Sequence, residues 1–276
     1  MNKKAELEIK LDKRSLYLRS LVVECLFGGG RGHMGPAMSL IEILRVLYDD
    51  ILKYNPKKPN DKFRDRLILS KGHGCLALYA MLADKKFFNK NVLRSASKFN
   101  SILGGHPELK VPGVEASTGA LGHGPAIGVG MAIGAKLNKL NYKTFILVGD
   151  GEINEGSFWE SSMIASKHKL NNFHIIIDYN KIQSYGKTKE VLDLEPLRKK
   201  LETFGYNVSE VNGHKVEQLT KYFKKIKKNK EKPTALICHT IKGKGFPFAE
   251  NNPYWHHKNF FTEKEVKEIN KCLKKD

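Results

Sequence analysis

The chain has 276 residues, 41% of them hydrophobic, which is enough for one large core and excludes global disorder. No apolar run approaches the roughly 20 residues of a membrane helix, the charged start Met1 to Lys10 lacks a signal-peptide apolar stretch, and Cys25, Cys75, Cys238 and Cys272 are too scattered for a zinc site or disulfide framework, so a cytoplasmic protein with free thiols is expected. The net charge of +19 would suit an anionic ligand, but much of it falls on Lys221, Lys224, Lys225, Lys227, Lys228, Lys230 and Lys232, on one helix and its tail; without interleaved aromatics or a nucleic-acid motif this reads as a solvated face, and no nucleic acid is expected as partner.

In chain order, a 14-residue extension (1–14) precedes a helix carrying Leu18, Leu21, Val22, Cys25 and Leu26 at helical spacing. Ser39 with Glu42 predicts a capping box opening a second helix, whose apolar face is Leu40, Ile43, Leu44, Leu47, Tyr48 and Ile51. A short strand from Arg66 to Leu69 runs into the loop Ser70-Lys71-Gly72-His73-Gly74. A glycine-rich helix spans Gly124 to Lys136. Its Gly128, Ala132 and Ala135 allow close packing, either within the fold or against a partner. From residue 144 strands and helices alternate: strand Phe145 to Val148, helix Gly156 to Lys167, strand Phe173 to Asp178, helix Leu194 to Phe204 ending at Gly205, strand Tyr206 to Val211, helix Val216 to Lys228 and strand Thr234 to Thr240. A short C-terminal helix is expected over 262–276. This order predicts one α/β domain over 1–276, a doubly wound parallel sheet with helices on both faces, whose ligands bind beyond the carboxyl ends of the strands.

Two of those ends carry chemistry. Gly149-Asp150-Gly151 follows one strand and Asn180 follows the next, with a single helical crossover between them. The strands are therefore parallel, and the Asp150 carboxylate and the Asn180 amide oxygen leave the same sheet edge. Both are hard oxygen donors, suited to Mg²⁺ or Ca²⁺ rather than zinc. A diphosphate would complete the coordination, approaching Gly151, which has no Cβ, and the N-terminus of the following helix. A turn and a strand cap would explain either motif alone; their pairing across one crossover favours a site.

Five of the ten histidines adjoin glycine: His33, His73, His106, His123 and His214. The first four lie in otherwise apolar sequence and predict a polar pocket able to move protons near neutral pH; His214 reads as a loop residue. Gly30-Arg31-Gly32-His33-Met34-Gly35 has the G-x-G-x-x-G form of a dinucleotide fingerprint, but it follows a helix and not a strand, so a nicotinamide site is rejected.

With these residues in view, the chain resembles the N-terminal, diphosphate-binding half of transketolase from about Ser15 to Phe260. The likeness centres on Gly149-Asp150-Gly151-Glu152-Ile153-Asn154-Glu155-Gly156 and Asp178-Tyr179-Asn180, the thiamine diphosphate signature. More specific are Gly32-His33-Met34-Gly35, Arg64-Asp65-Arg66, Ser70-Lys71-Gly72-His73, Gly105-His106-Pro107-Glu108, Pro112-Gly113-Val114-Glu115 and Ser117-Thr118-Gly119-Ala120-Leu121-Gly122. The resemblance implies that Asp150, Asn180 and the Ile182 carbonyl hold the metal. It implies that His73, Gly119, Ala120, Leu121, Gly151 and Asn180 touch thiamine diphosphate. It places His33 and His106 against sugar hydroxyls, and His256, or its neighbour His257, near diphosphate and substrate. Glu155 matches an interface glutamate that couples active sites. Met34 and His123 depart from residues common in the family, which bears on substrate preference.

The resemblance also implies a partner. The glutamate that activates thiamine diphosphate lies in this family on a pyrimidine-binding domain, which the chain lacks before Asp276. A second subunit carrying it, in a heterotetramer, is expected, with sugars or sugar phosphates as substrates and activity only in the complex. Three alternatives remain open: a subunit of another thiamine enzyme, such as a 1-deoxyxylulose 5-phosphate synthase-like or 2-oxo acid decarboxylating one; a non-catalytic paralogue; or a fragment of a longer polypeptide. His33 and His106 favour a polyhydroxylated substrate, and the intact Asp150, Asn180 and histidine set argues against a decayed site.

Overall fold

The computed structural model describes residues 9–184, 186–226 and 231–273. The expected continuation of one helix through Lys228, with Lys227 and Lys230, therefore lies outside the described residues, as do most of the N-terminal extension and the last three residues.

The elements run α1 (Lys13–Gly29), α2 (Met34–Met38), α3 (Ile41–Val46), β1 (Arg66–Leu69), α4 (Cys75–Asp84), α5 (His123–Leu137), β2 (Thr144–Gly149), α6 (Gly156–Lys167), β3 (Phe173–Tyr179), α7 (Thr188–Val191), α8 (Leu197–Thr203), β4 (Asn207–Asn212), α9 (Val216–Ile226), β5 (Thr234–His239) and α10 (Glu263–Leu273). The five strands form one sheet in the order β1-β2-β3-β5-β4, and every pairing is parallel. Because side chains alternate across a strand, each face builds its own core. Phe145, Leu147, Ile176 and Leu236 pack with α1, α3, α4 and α9 on one face. Ile146, Val148, Ile175, Ile177 and Ile237 pack with α5, α6 and α8 on the other. Apolar burial on both sides explains why β2, β5 and the Ile175 to Ile177 stretch of β3 read as hydrophobic runs.

Local chemistry sets the helix ends. Asp12 caps α1 by accepting from Ser15 N at 2.8 Å, and Gly30 closes it at φ +70°. Gly128 brings α5 close to the sheet, since a Cβ there would lie 2.2 Å from Ile146 Cδ1. The expected capping box at Ser39 does not form. Ser39 instead ends α2, donating to Pro36 O and, at 2.7 Å, to Asp178 Oδ2, while Glu42 is buried against Arg19 and His214. Long-range charge pairing has overridden a local motif. Helix α8 starts three residues later than expected, after Pro196, whose ring disfavours helical backbone at Glu195; the Glu195 side chain then accepts from Leu197 N at 3.0 Å. Gly205, at φ +87°, follows α8 as expected.

His174 sits wholly buried on β3, stacked on Phe145 with ring centroids 4.9 Å apart, its Nδ1 2.8 Å from Thr234 Oγ1. Burial, then Lys143, pushes its pKa from 6.5 down to about 3. The unfolded chain therefore takes up this proton first, and stability falls as pH drops from about 6.5 toward 3, by up to about 1.4 kcal/mol per pH unit. The variant His174→Phe should lose part of this acid sensitivity. Denaturant midpoints compared at pH 7 and pH 5 check it; parallel losses in the two proteins would rule out His174 as a source.

Candidate active site

In the β2–β3 register Gly149 pairs with Asp178, so the chain leaves both strands at one sheet edge, through Asp150 and through Asn180. Both residues line a single pocket with Lys71, His73, Leu121, Gly151, Ile182 and Lys242. Asp150 is buried, its Oδ1 accepting from Gly151 N at 2.8 Å and its Oδ2 from Lys181 N. Among the described residues no ion pair neutralises it. Burial, and then the neighbouring Asp178, pushes its carboxyl up to about 6. Asn180 Nδ2 donates to Asp178 Oδ2 at 3.0 Å, and Asn180 Oδ1 accepts from Ile182 N at 3.1 Å. Because a carboxylate only accepts, the contact with Asp178 fixes which end of the amide presents oxygen.

Asp178 is the buried hub beneath these donors. It accepts from Lys71 Nζ, Ser39 Oγ, Thr240 Oγ1 and Asn180 Nδ2, tying α2, the β1 loop, β3 and the end of β5 together. Burial alone would raise its pKa, but Lys71 and the hydroxyl donors outweigh burial and hold it below the usual carboxylate range. Lys242 enters from beyond β5, its Nζ donating to Ile182 O at 2.9 Å and Gln183 O at 3.2 Å. Burial and then Lys71 lower its pKa to about 8.

A wall of imidazoles faces these groups. The His33 ring lies 5.9 Å from His73, 6.0 Å from His106, 5.4 Å from His256 and 4.5 Å from His257. Burial, and then its histidine neighbours, lowers His33 to about 3; burial and then Lys242 does the same for His256, and His73 is lowered well below its ordinary value by burial and Lys71. These three rings are therefore uncharged at neutral pH. Glycine makes the crowding feasible: a Cβ on Gly72 would lie 2.9 Å, and one on Gly119, already at φ +147°, 3.0 Å, from His106 Cδ2.

The expected site residues thus largely converge. Of the two adjacent histidines, His256 lines the pocket and His257 is exposed beyond it. Leu121 lines the pocket; Ala120 beside it is exposed. Glu155 is exposed at the start of α6, packed against Gly122. His123 does not join the histidine wall: it is exposed at the start of α5 and its Nδ1 lies 3.2 Å from Leu121 O. His214 is not a plain loop residue but a buried link between Glu42 and Ile241 N. Lys71, Asp178, Gln183 and Lys242 were not singled out as site residues from sequence. A clue for Lys242 was available in Ile241-Lys242-Gly243-Lys244-Gly245, glycine-spaced lysines just beyond a strand end.

The residues fit a metal–diphosphate pair. Asp150 has no ion-pair partner among the described residues, two buried lysines offer positive charge, and Gln183 Nε2 and His256 Nδ1 are buried in the pocket without hydrogen-bond partners, as donors or acceptors facing a polar ligand would be. No group of three His, Cys, Asp or Glu among the described residues could hold a metal. A cation here would rest on carboxylate, amide and carbonyl oxygens, the donor set of a hard ion.

Fold and pocket together define a cofactor-binding α/β domain with its site at the carboxyl edge of a parallel sheet. Residues 12–276 match the family described as transketolase, thiamine diphosphate binding domain. An apulose-4-phosphate transketolase subunit of Phocaeicola vulgatus is 43% identical over 251 residues, covering 91% of this chain and 88% of that protein. The 6-deoxy-6-sulfo-D-fructose transketolase subunit of a Clostridium species is 35% identical, covering 94% of both. The crystal structure of Campylobacter jejuni transketolase superimposes with a TM-score of 0.89 at 31% identity, covering all of this chain but 44% of that one. The chain belongs to the transketolase family, as its thiamine diphosphate-binding domain. No helix among the described residues is long and apolar enough to cross a membrane.

Proposed function

We propose that this chain, as a single domain, is the diphosphate-binding subunit of a two-chain, cytoplasmic transketolase that moves a two-carbon ketol unit from a ketose or its phosphate to an aldose or its phosphate. The observation that carries this reading is the meeting of Asp150 and Asn180 in one pocket with the His73 and His256 imidazoles, against which the His33 ring lies. In this reading Asp150, Asn180 Oδ1 and the Ile182 carbonyl hold Mg²⁺ or Ca²⁺. Lys71 and Lys242 supply positive charge toward the diphosphate, with His73, Gly119, Ala120, Leu121 and Gly151 around the cofactor. When bound, thiamine diphosphate supplies the carbanion that attacks the donor carbonyl. The chain's own share is binding and proton handling. Uncharged His33, with His106 and His256 at its sides, would accept a proton from a substrate hydroxyl and, once protonated, return it.

The partner would bring the pyrimidine-binding domain. The outer side of α5 and α6 suits such a neighbour: Ile127, Met163 and Ile164 are exposed, and a Cβ on Gly130 or Gly134 would meet nothing within 4 Å. Glu155 immediately precedes α6, near the expected subunit boundary, in a heterotetramer. A donor screen on the complex purified through this chain tests the function. Ketoses and ketose phosphates should release a two-carbon unit to an aldose, and pyruvate should not. Turnover of pyruvate with none of any ketose would replace the ketol-transfer reading by a decarboxylating one.

A further inference from the structure

Lys242 reaches the pocket from a turn, Ile241 to Gly245, that belongs to no helix or strand. Hydrogen bonds fix both ends of that turn. Ile241 N donates to His214 Nε2 at 2.8 Å, and Lys244 O accepts from Arg19 Nε at 2.9 Å. Behind the turn these two residues are joined through Glu42, whose Oε1 accepts from Arg19 at 2.6 Å and whose Oε2 meets His214 Nδ1 at 2.8 Å. All three side chains are buried. Since a backbone N–H only donates, Nε2 is the acceptor and Nδ1 carries the hydrogen given to Glu42. Arg19 also donates to Met38 O at 3.3 Å, so the same guanidinium ties the helix that begins beside His33 to the Lys242 turn.

A buried ion pair of this kind adds little stability over an apolar core of equal volume. What it supplies is direction. Contact is close enough to exclude side chains: Gly245 has φ +98°, and a Cβ there would lie 2.8 Å from Arg19 Nε. Gly35 packs from the other side, where a Cβ would lie 3.3 Å from Lys242 Cγ.

We propose that Arg19, Glu42 and His214 are positioning residues that hold the Lys242 ammonium in the pocket, acting through the two ends of its turn without touching ligand. The inference rests on the reading of the pocket as a diphosphate site, and two readouts separate the two. The variant His214→Gln keeps one donor and one acceptor; His214→Leu keeps neither. Amide exchange over residues 240–246, followed by mass spectrometry without ligand, should match wild type in His214→Gln and be about tenfold faster or more in His214→Leu. Calorimetry with thiamine diphosphate and Mg²⁺, on the complex purified through this chain, should show Kd raised about tenfold or more in His214→Leu and restored to within about threefold in His214→Gln. If wild type does not bind, the diphosphate reading falls while the exchange result still stands or falls by itself. Equal exchange in all three proteins, or wild-type affinity in His214→Leu, overturns the positioning role. Should His214→Leu not melt cooperatively, His214→Asn, one methylene shorter and able to satisfy only one partner, replaces it with the same expectations. Failure of both to fold would mark the residue as purely structural and also overturn the proposal.

Discussion

Asp150→Ala is expected to abolish metal-dependent thiamine diphosphate binding in the assembled complex, with affinity falling about 100-fold or more. Altering a residue that merely orients a metal ligand typically costs 10- to 100-fold, and Asp150 is proposed as a direct ligand and the site's one negatively charged donor. Its carboxylate is buried with no ion-pair partner among the described residues, so a divalent cation is the natural counter-charge. Alanine would also strand the backbone N–H groups of Gly151 and Lys181, which the carboxylate now satisfies. A thermal melt of the variant therefore accompanies the titration, to separate lost fold from lost site. Calorimetry showing unchanged affinity in a folded Asp150→Ala complex would remove the metal assignment.

The second large effect concerns the chain by itself. Purified without a partner, it should turn over ketose donors at a rate about 1,000-fold below the complex or lower. A single acid–base group commonly contributes 10²- to 10⁴-fold. The glutamate that activates thiamine diphosphate in this family would come from the partner. Rates measured before and after adding the second subunit check this, and full turnover by the isolated chain would refute the two-chain reading.

Much of the sheet was legible because its central strands are buried on both faces. Runs such as Phe145 to Val148 and Ile175 to Ile177 carry no polar interruption until the chain exits at the site, so strand ends and chemistry coincide in sequence. That coincidence is why Asp150 and Asn180 could be paired from spacing alone. What stayed hidden depended on distant partners. Ser39 and Glu42 match a capping box locally, but Glu42 is claimed by His214, 172 residues away, and Ser39 by Asp178. Lys71 and Lys242 look like surface lysines, since lysine is almost never fully buried unless paired. Their burial became visible only when strand ends brought Asp178 and the Ile182 carbonyl to meet them. His123 misled for the converse reason: its neighbour Gly124 serves the packing of α5, where a Cβ would collide with Ser70.

The close approach of Gly124 to Ser70 has a mechanical outcome. The first turn of α5 packs closely on Ser70, the residue just before Lys71, and Ser70 donates to Glu152, two residues beyond Asp150. The same helix shows its Gly130 and Gly134 flank to the outside. A close-packed interior passes strain on and does not absorb it. A partner seated against that flank would press on a helix whose first turn packs on Ser70, the residue that holds Glu152 beside the Asp150 loop.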